Sequence, residues 1–574
     1  MTIFALSRSV IRERSWSFVM DVLVFSVVAA AIYALLNIAR SWFGAATPQA
    51  QISQSPAALP AYAFYSLVRI AAAYLLSLVF AIGYGYIAAY YRRLETVMIA
   101  VLDILQSIPV LSFLPGVMLA MVSLFPSRQL GVELGSIILI FTGQVWNMAF
   151  SFYSSLKAIP RELHEAAAIY RFNAWQRFIE LELPFGVIGL VWNSIVSVAG
   201  GWFFLMACEM FVLGKNDFRL PGLGSYLQTA ASAGDTRAIL WGLGAMIAVI
   251  VLLDQLVWRP AIAWSERFKF EQVEQATEVY SPILHLFRQS SAFIWLRTRA
   301  FTPAWETLSS TLARRRKPAE SSHAALLPKA FPIAAGLVLL LALYALFRAA
   351  VVLSGLTMAE LSSTLQAAGA TFLRVMLSLA IAALWTIPAG VAIGFHPKLA
   401  RVAQPLAQIA ASVPATALFP VVLLVLVRLG GGLGVASVLL MLLGTQWYVL
   451  FNVIAGATAI PTELREASSV FRFSASQEWT TLILPGIFPF LITGLITASG
   501  GAWNASIVAE YFRFQGKTLT TTGLGAQISS ASESGNFDLL LLSTIVMAVL
   551  VVCINRLVWR RLYRLGETRF RLES

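Results

Sequence analysis

The chain has 574 residues, of which 59% are hydrophobic and only 12% charged, with a mean hydropathy of +0.77. A soluble protein carries about 25% charged residues, so composition excludes an ordinary soluble domain and points to a polytopic membrane protein. The net charge of +13 fits basic residues that keep loops on the cytoplasmic side better than nucleic acid, and the two cysteines, Cys208 and Cys553, build no disulfide framework.

The basic N-terminus lacks a small-residue cleavage site after a short apolar core, and is taken as a cytoplasmic start. A first span is expected at residues 18–38. Residues 41–62 have no Lys or Arg, which marks them as external. Span two covers 64–90, and Arg92 and Arg93 mark the inside. Span three, 96–125, is interrupted by Pro109 and Pro115. A short outer loop at 126–133 leads to span four, 134–156. A polar segment follows at 159–184, held inside by Lys157, Arg161, Arg171 and Arg177. Span five, 185–213, leads to a Gly-rich outer segment, 214–237, and span six ends at Trp258-Arg259. Residues 273–328 form a basic cytoplasmic connector, whose part 283–301 either lies on the membrane surface or is a loose tether.

The second half repeats this plan, with spans near 331–353, 371–395, 399–427, 434–455, 486–512 and 539–559. Arg69 answers Arg374, Ser107-Ile108-Pro109 answers Ser412-Val413-Pro414, Gly200-Gly201 answers Gly500-Gly501, and Glu209 answers Glu510. The expected fold is therefore all-α, with about 12 transmembrane helices in two six-helix repeats. An even number of spans gives both halves one orientation, so the repeat is parallel. The domains are 1–272, the connector 273–328, and 329–574, with both termini cytoplasmic.

The closest internal match is the polar segment itself. IPRELHEAAAIYRFNAWQRFIELELP at 159–184 returns as IPTELREASSVFRFSASQEWTTLILP at 460–485, offset by 301 residues without a gap. Each copy reads as two short helices. Leu163, Ala166, Ala167 and Tyr170 share one face of the first helix, as do Leu464, Ala467, Ser468 and Phe471, a pattern suited to entering a groove on a partner. Asn173 with Gln176, and Ser474 with Gln477, have the spacing of a capping box for the second helix, which is expected to end before Pro184 and Pro485.

These segments resemble the EAA loop of the membrane subunits of ATP-binding-cassette (ABC) importers. Glu165-Ala166-Ala167 and Leu181-Glu182-Leu183-Pro184 carry the likeness in the first copy, and Glu466-Ala467-Ser468 and Leu482-Ile483-Leu484-Pro485 in the second. The Gly usual four residues after the second Ala is replaced by Arg171 and Arg472. The resemblance implies a type I importer permease fold and a coupling helix docked on an ATPase, with Ala166 and Ala467 in the ATPase groove and Glu165 and Glu466 orienting the helix. Gly222-Leu223-Gly224 and Gly523-Leu524-Gly525, with the upstream Gly-Gly pairs, resemble the nitrate/sulfonate/taurine/bicarbonate branch. That likeness implies two ATPase subunits, an extracytoplasmic solute-binding protein, a small and often anionic solute, and a bacterial or archaeal inner membrane. ATP and Mg would be bound by the partner subunits and no cofactor by this chain.

No catalytic or metal-ligating set is discernible. Gly516-Lys517-Thr518 lacks the upstream Gly of a P-loop, since Tyr511 stands there. The proline pairs Pro109/Pro115 and Pro414/Pro420 predict kinked helices beside a pathway, with Ser107, Ser112, Ser412 and Thr416 close by and Asn193 and Asn504 on spans five and eleven. Ser and Thr at these kinks equally well back-bond to their own helix. Arg69 with Glu209, and Arg374 with Glu510, either form structural ion pairs or attract an anionic solute. The rival reading of the whole chain is an ion-gradient-driven secondary transporter that uses Glu209 and Glu510.

Overall fold

The structure, a computed structural model, describes residues 51–126, 129–213, 216–268 and 354–569, with isolated residues elsewhere. The expected spans at 18–38 and 331–353 and the body of the connector fall outside the described residues. Among those described, eight helices are long and apolar enough to cross a membrane: Pro56–Tyr90, Leu130–Lys157, Ala174–Glu209, Thr236–Ser265, Met358–Phe395, Leu433–Ala459, Ala475–Ala509 and Phe537–Gly566. The fold is that of an all-α polytopic membrane protein.

The core of each half is a helix triplet. In the first, α1 (Leu59–Tyr90) packs on α4 (Leu130–Lys157), and α4 on α7 (Leu183–Glu209). In the second, α11 (Met358–Phe395), α14 (Leu433–Ala459) and α17 (Leu484–Ala509) repeat the arrangement. Without a hydrophobic drive between helices in lipid, close approach depends on small residues. Gly85 and Gly186 accommodate the buried ring of Phe152, whose atoms would lie 3.0 Å and 2.6 Å from a Cβ at those positions.

Spans three and nine are not single kinked helices, as the sequence reading expects, but pairs of short ones. α2 (Arg92–Ser107) stops at Ile108 (ψ 129°) and Pro109 (ψ 118°), and a 3-10 turn at Val110–Phe113 leads into α3 (Leu114–Leu124). The residue before a proline is pushed out of the helical region, and here the proline is extended as well, so the helix is interrupted completely. Pro115 is harmless, because it lies in the first turn of α3, where an N–H has no partner to lose. In the second half α12 (Pro397–Ser412) and α13 (Ala415–Arg428) flank the extended Val413 (ψ 119°). The apolar second pieces, Val110–Leu124 and Ala415–Leu426, are shorter than a bilayer-crossing helix.

Two more boundaries differ from expectation. The second short helix of each polar segment, α6 (Ala174–Arg177) and α16 (Ala475–Glu478), does not end before the proline. It continues through a π-turn, Phe178–Glu182 or Trp479–Ile483, in which Leu183 N–H donates to Phe178 O and Leu484 N–H to Trp479 O. The widened turn makes room for the ring of Pro184 or Pro485, which an α-helical turn would force against a carbonyl. Span eleven ends at Ala509, and β3 (Tyr511–Phe514) pairs with β4 (Lys517–Thr520) in a hairpin turned by Gln515 (φ 50°) and Gly516 (φ 71°). The Gly-Lys-Thr tripeptide is the turn and first strand residues of this hairpin. The first half has the shorter counterpart β1 (Val212–Leu213) and β2 (Asn216–Asp217).

After each hairpin a short helix, α8 (Leu223–Ala233) or α18 (Leu524–Ser534), closes on a left-handed glycine, Gly234 (φ 71°) or Gly535 (φ 73°). The chain then turns into span six, α9 (Thr236–Leu253), or span twelve, α19 (Phe537–Ile554). The halves interlock at these hairpins and short helices, where Gln515 N–H donates to Ala231 O at 3.1 Å and Gln228 Nε2 to Arg513 O at 3.3 Å.

Candidate functional site: polar loops and buried ion clusters

Each polar loop begins with α5 (Arg161–Ile169) or α15 (Thr462–Val470), directly after Pro160 or Pro461. Both helices end in the same way. Phe172 N–H donates to Ala167 O at 2.9 Å and Arg171 N–H to Ala168 O at 3.0 Å, while Phe473 N–H donates to Ser468 O at 3.0 Å and Arg472 N–H to Ser469 O at 3.1 Å. These are the paired bonds of a Schellman end, which requires one left-handed residue. That residue is Arg171 (φ 52°) or Arg472 (φ 51°). The tight turn therefore forms without glycine, at a cost of about 1 kcal/mol. Both capping boxes follow: Asn173 Oδ1 accepts from Gln176 N–H at 2.8 Å, and Ser474 Oγ from Gln477 N–H at 3.4 Å, with the reciprocal bonds at 3.0 Å and 2.8 Å.

The face predicted for docking is divided. Ala167 and Ser468 are buried against the chain itself, and Leu163 packs on a buried cluster around Phe152. Ala166 and Ala467 are half-buried, and Glu165, Glu466 and Leu464 are exposed. The most exposed apolar groups are Ile169 and Val470, 79% and 77% exposed, and beside them the aromatic Tyr170 and Phe471, each 75% exposed. Ala167 and Ser468 thus seat the helix, and the outward knob is aromatic. The first loop is also tied down by a charge pair that the second lacks: Arg177 Nε meets the buried Glu182 at 2.7 Å, where the second loop has the buried Ile483.

At the opposite ends of the spans lie two buried ion clusters. Glu209 closes α7 and is 0% exposed. It accepts from Arg69 Nη1 at 2.8 Å, Ser66 Oγ at 2.7 Å and Gly224 N–H at 2.7 Å. Arg69 also holds Glu133 through Nε at 2.6 Å and Nη2 at 2.8 Å, and Pro221 O at 2.8 Å. In the second half Glu510 accepts from Arg374 Nη1 at 2.9 Å, Thr371 Oγ1 at 2.9 Å and Gly525 N–H at 2.9 Å. Arg374 donates its other bonds to Thr522 O at 2.6 Å and Thr521 Oγ1 at 2.8 Å, and meets no second carboxylate among the described residues. Each glutamate receives the first N–H groups of the short helix α8 or α18, directly from Gly224 or Gly525 and through the hydroxyl of Ser66 or Thr371 from Leu223 or Leu524. Helix N-termini favour such a negative partner. The clusters fasten the short helices α8 and α18 to spans two, five, eight and eleven.

A Cβ on Gly222 would collide with the Glu209 carboxylate, and one on Gly523 with that of Glu510. Gly222→Ala is expected to lower stability by about 1–3 kcal/mol, read as a lower thermal unfolding midpoint in detergent. Gly200→Ala, where no atom lies within 4 Å, is the control and should leave it unchanged.

The residues predicted beside a pathway are brought together only in part. Ser112 and Thr416 are buried at the two helix breaks. Ser112 Oγ donates to Pro109 O at 2.7 Å, a local bond. Asn504 reaches across from the second half, its Oδ1 accepting from Leu111 N–H at 3.4 Å, and Thr544 Oγ1 donates to Ser112 O at 3.2 Å. Asn193 bonds its own helix, through Gly189 O at 3.0 Å, and joins none of the others. The side chains of Ser107 and Ser412 fall outside the described residues. Glu133, Ser66 and Thr371 were missed by sequence reasoning. Ser66 and Thr371 each precede the cluster arginine by three residues, one helical turn, in both copies, which is the signal that could have found them.

The sequence matches the family described as binding-protein-dependent transport system inner membrane component twice, at residues 81–257 and 386–571. It is similar to the taurine transport system permease protein of Escherichia coli, 31% identical over 183 residues, which are 32% of this chain and 62% of that protein. It is also similar to the nitrate import permease protein of Synechocystis, 23% identical over 33% of this chain and 65% of the relative. The bicarbonate transport system permease protein of Synechococcus elongatus is 26% identical over the same shares. The chain spans less than two thirds of the length of each of these relatives. The two matches cover most of the chain, and each contains one polar loop and one cluster glutamate, Glu209 or Glu510: the chain belongs to the binding-protein-dependent transport system inner membrane component family, with the family's unit present twice.

Proposed function

We propose that this chain is the membrane-spanning permease of an ATP-driven importer, two fused permease units in one polypeptide, and that it moves a small oxyanion or sulfonate inward. The observation that carries the reading is the pair of polar loops, identical in turn geometry and capping, each presenting an exposed aromatic knob. Relatives named for taurine, nitrate and bicarbonate transport support the solute class. In this reading residues 1–272 and 329–574 are the units and 273–328 a cytoplasmic connector, with both termini and both loops cytoplasmic. Two ATPase subunits dock on the loops and bind ATP and Mg, this chain binding neither, and an external binding protein delivers the solute. The pathway runs between the broken spans three and nine and spans five and eleven, past Ser112, Thr416 and Asn504. A gradient-driven carrier using Glu209 and Glu510 has less support, since both carboxylates are already paired with arginine and backbone N–H groups.

The test is uptake of labelled taurine, nitrate or bicarbonate into proteoliposomes holding the chain, its ATPases and its binding protein. Uptake is expected to require ATP and to be indifferent to an imposed proton gradient. Glu165→Arg with Glu466→Arg is expected to lower it at least about tenfold at equal protein content, because both exposed carboxylates reverse sign at the docking surface. Wild-type rates in that double variant would count against the assignment.

A further inference from the structure

Two arginines occupy the one position in each loop where the backbone favours glycine. Along the aligned loops the other cations have diverged. Lys157 and Arg161 stand opposite Thr458 and Thr462, Arg177 opposite Glu478, and Arg465 opposite His164. Only Arg171 and Arg472 are basic in both copies. Arg177 is held by Glu182, and Arg465 lies over the Phe395 ring at 4.0 Å. Arg171 and Arg472 are exposed, and neither guanidinium has an ion-paired or hydrogen-bonded partner among the described residues. Each adjoins the exposed aromatic knob, Tyr170 or Phe471.

A strained backbone kept at both duplicated sites, for guanidinium groups with no ion-paired or hydrogen-bonded partner among the described residues, points to a contact outside the chain. We propose that Arg171 and Arg472 form charge-assisted bonds to carboxylates at the rim of the ATPase cleft that receives Tyr170 and Phe471. The partner surface is an apolar cleft with an acidic edge, one on each of two subunits. Aromatic and arginine side chains together are the usual composition of an interface hot spot, and a guanidinium suits a bidentate carboxylate. The proposal rests on the docking of ATPases in the preceding section and adds the charge that orients it.

The proposal separates two effects that a merely structural arginine would couple. Arg171→Gly with Arg472→Gly relieves the backbone, so the thermal unfolding midpoint of the full chain should rise or stay constant. Binding of the ATPase subunits that co-purify with the wild-type chain, measured on neutral-lipid nanodiscs, should weaken at least about tenfold at low salt. The wild type should lose that advantage at high salt, and lysine at both positions should restore part of it. A glycine variant that binds as tightly as wild type at both salt concentrations overturns the proposal. A loss seen only in nanodiscs containing anionic lipid also overturns it, by assigning the arginines to headgroup phosphates. A wild-type chain that binds no ATPase instead refutes the docking itself.

Discussion

Arg69→Ala is expected to be the most damaging single substitution in the two ion clusters. It leaves the carboxylates of Glu133 and Glu209, 3% and 0% exposed, with no cation between them. Removing one member of a buried charge set costs about 3–5 kcal/mol, enough to abolish the folded population of a marginally stable membrane domain. The short helix α8 loses part of its fastening at the same time, because Arg69 also holds Pro221 O. Arg374→Ala should cost less: only Glu510 is left uncompensated, and the Arg374 side chain is already 17% exposed. Adding Glu133→Gln and Glu209→Gln to Arg69→Ala should recover part of the loss, since neutral amides need no cation. Yield of monodisperse protein and thermal unfolding in detergent report the order. If Arg69 served mainly to attract an anionic solute, Arg69→Ala would fold like wild type and raise only the solute concentration needed for uptake. Its four hydrogen bonds within the cluster argue for the structural role.

The second large effect is expected at the aromatic knobs. Tyr170→Ala with Phe471→Ala removes the two most exposed aromatic groups of the loops, and within the chain only the contact of the Tyr170 ring with Phe172, centroids 6.3 Å apart. Buried hot-spot aromatics are worth about 2 kcal/mol or more each, so each ATPase contact should weaken by about thirtyfold. Because both loops lie in one polypeptide, they can be altered separately. Tyr170→Ala alone should reduce bound ATPase from two subunits towards one, and Phe471→Ala should do the same from the other side. Thermal unfolding of the isolated chain should be unchanged in all three variants. Full occupancy in the double variant would show that other groups carry the contact.

Much of the architecture is legible in the sequence because its signals are local. Asn173 with Gln176 and Ser474 with Gln477 have capping-box spacing, and both boxes form. The two loops align without a gap and fold alike. What is not legible depends on how a proline is accommodated or on tertiary contact. Pro109 and Pro414 announce a distortion, but a kink and a full break have the same composition, and only the extended backbone at Ile108 and Val413 separates them. Pro184 and Pro485 read as helix ends, yet a π-turn before each lets the helix continue. Tyr511 and Phe512 read as the end of a membrane span until the Gln515-Gly516 turn is recognised as that of a hairpin. Glu133 reads as an outer-loop residue, and only the fold brings it to Arg69. The docking face was half legible: the 3.6-residue pattern finds the helix face that packs inward at Ala167 and Ser468, whereas a binding surface is the face left over.

The most direct test of the central claim is to purify the tagged chain from native membranes in mild detergent and count what accompanies it. The account predicts ATP-binding-cassette subunits at about two per chain, one for each polar loop, both lost from the Glu165→Arg, Glu466→Arg variant. Recovery of the chain alone, still able to accumulate solute in proteoliposomes without ATP, would contradict it.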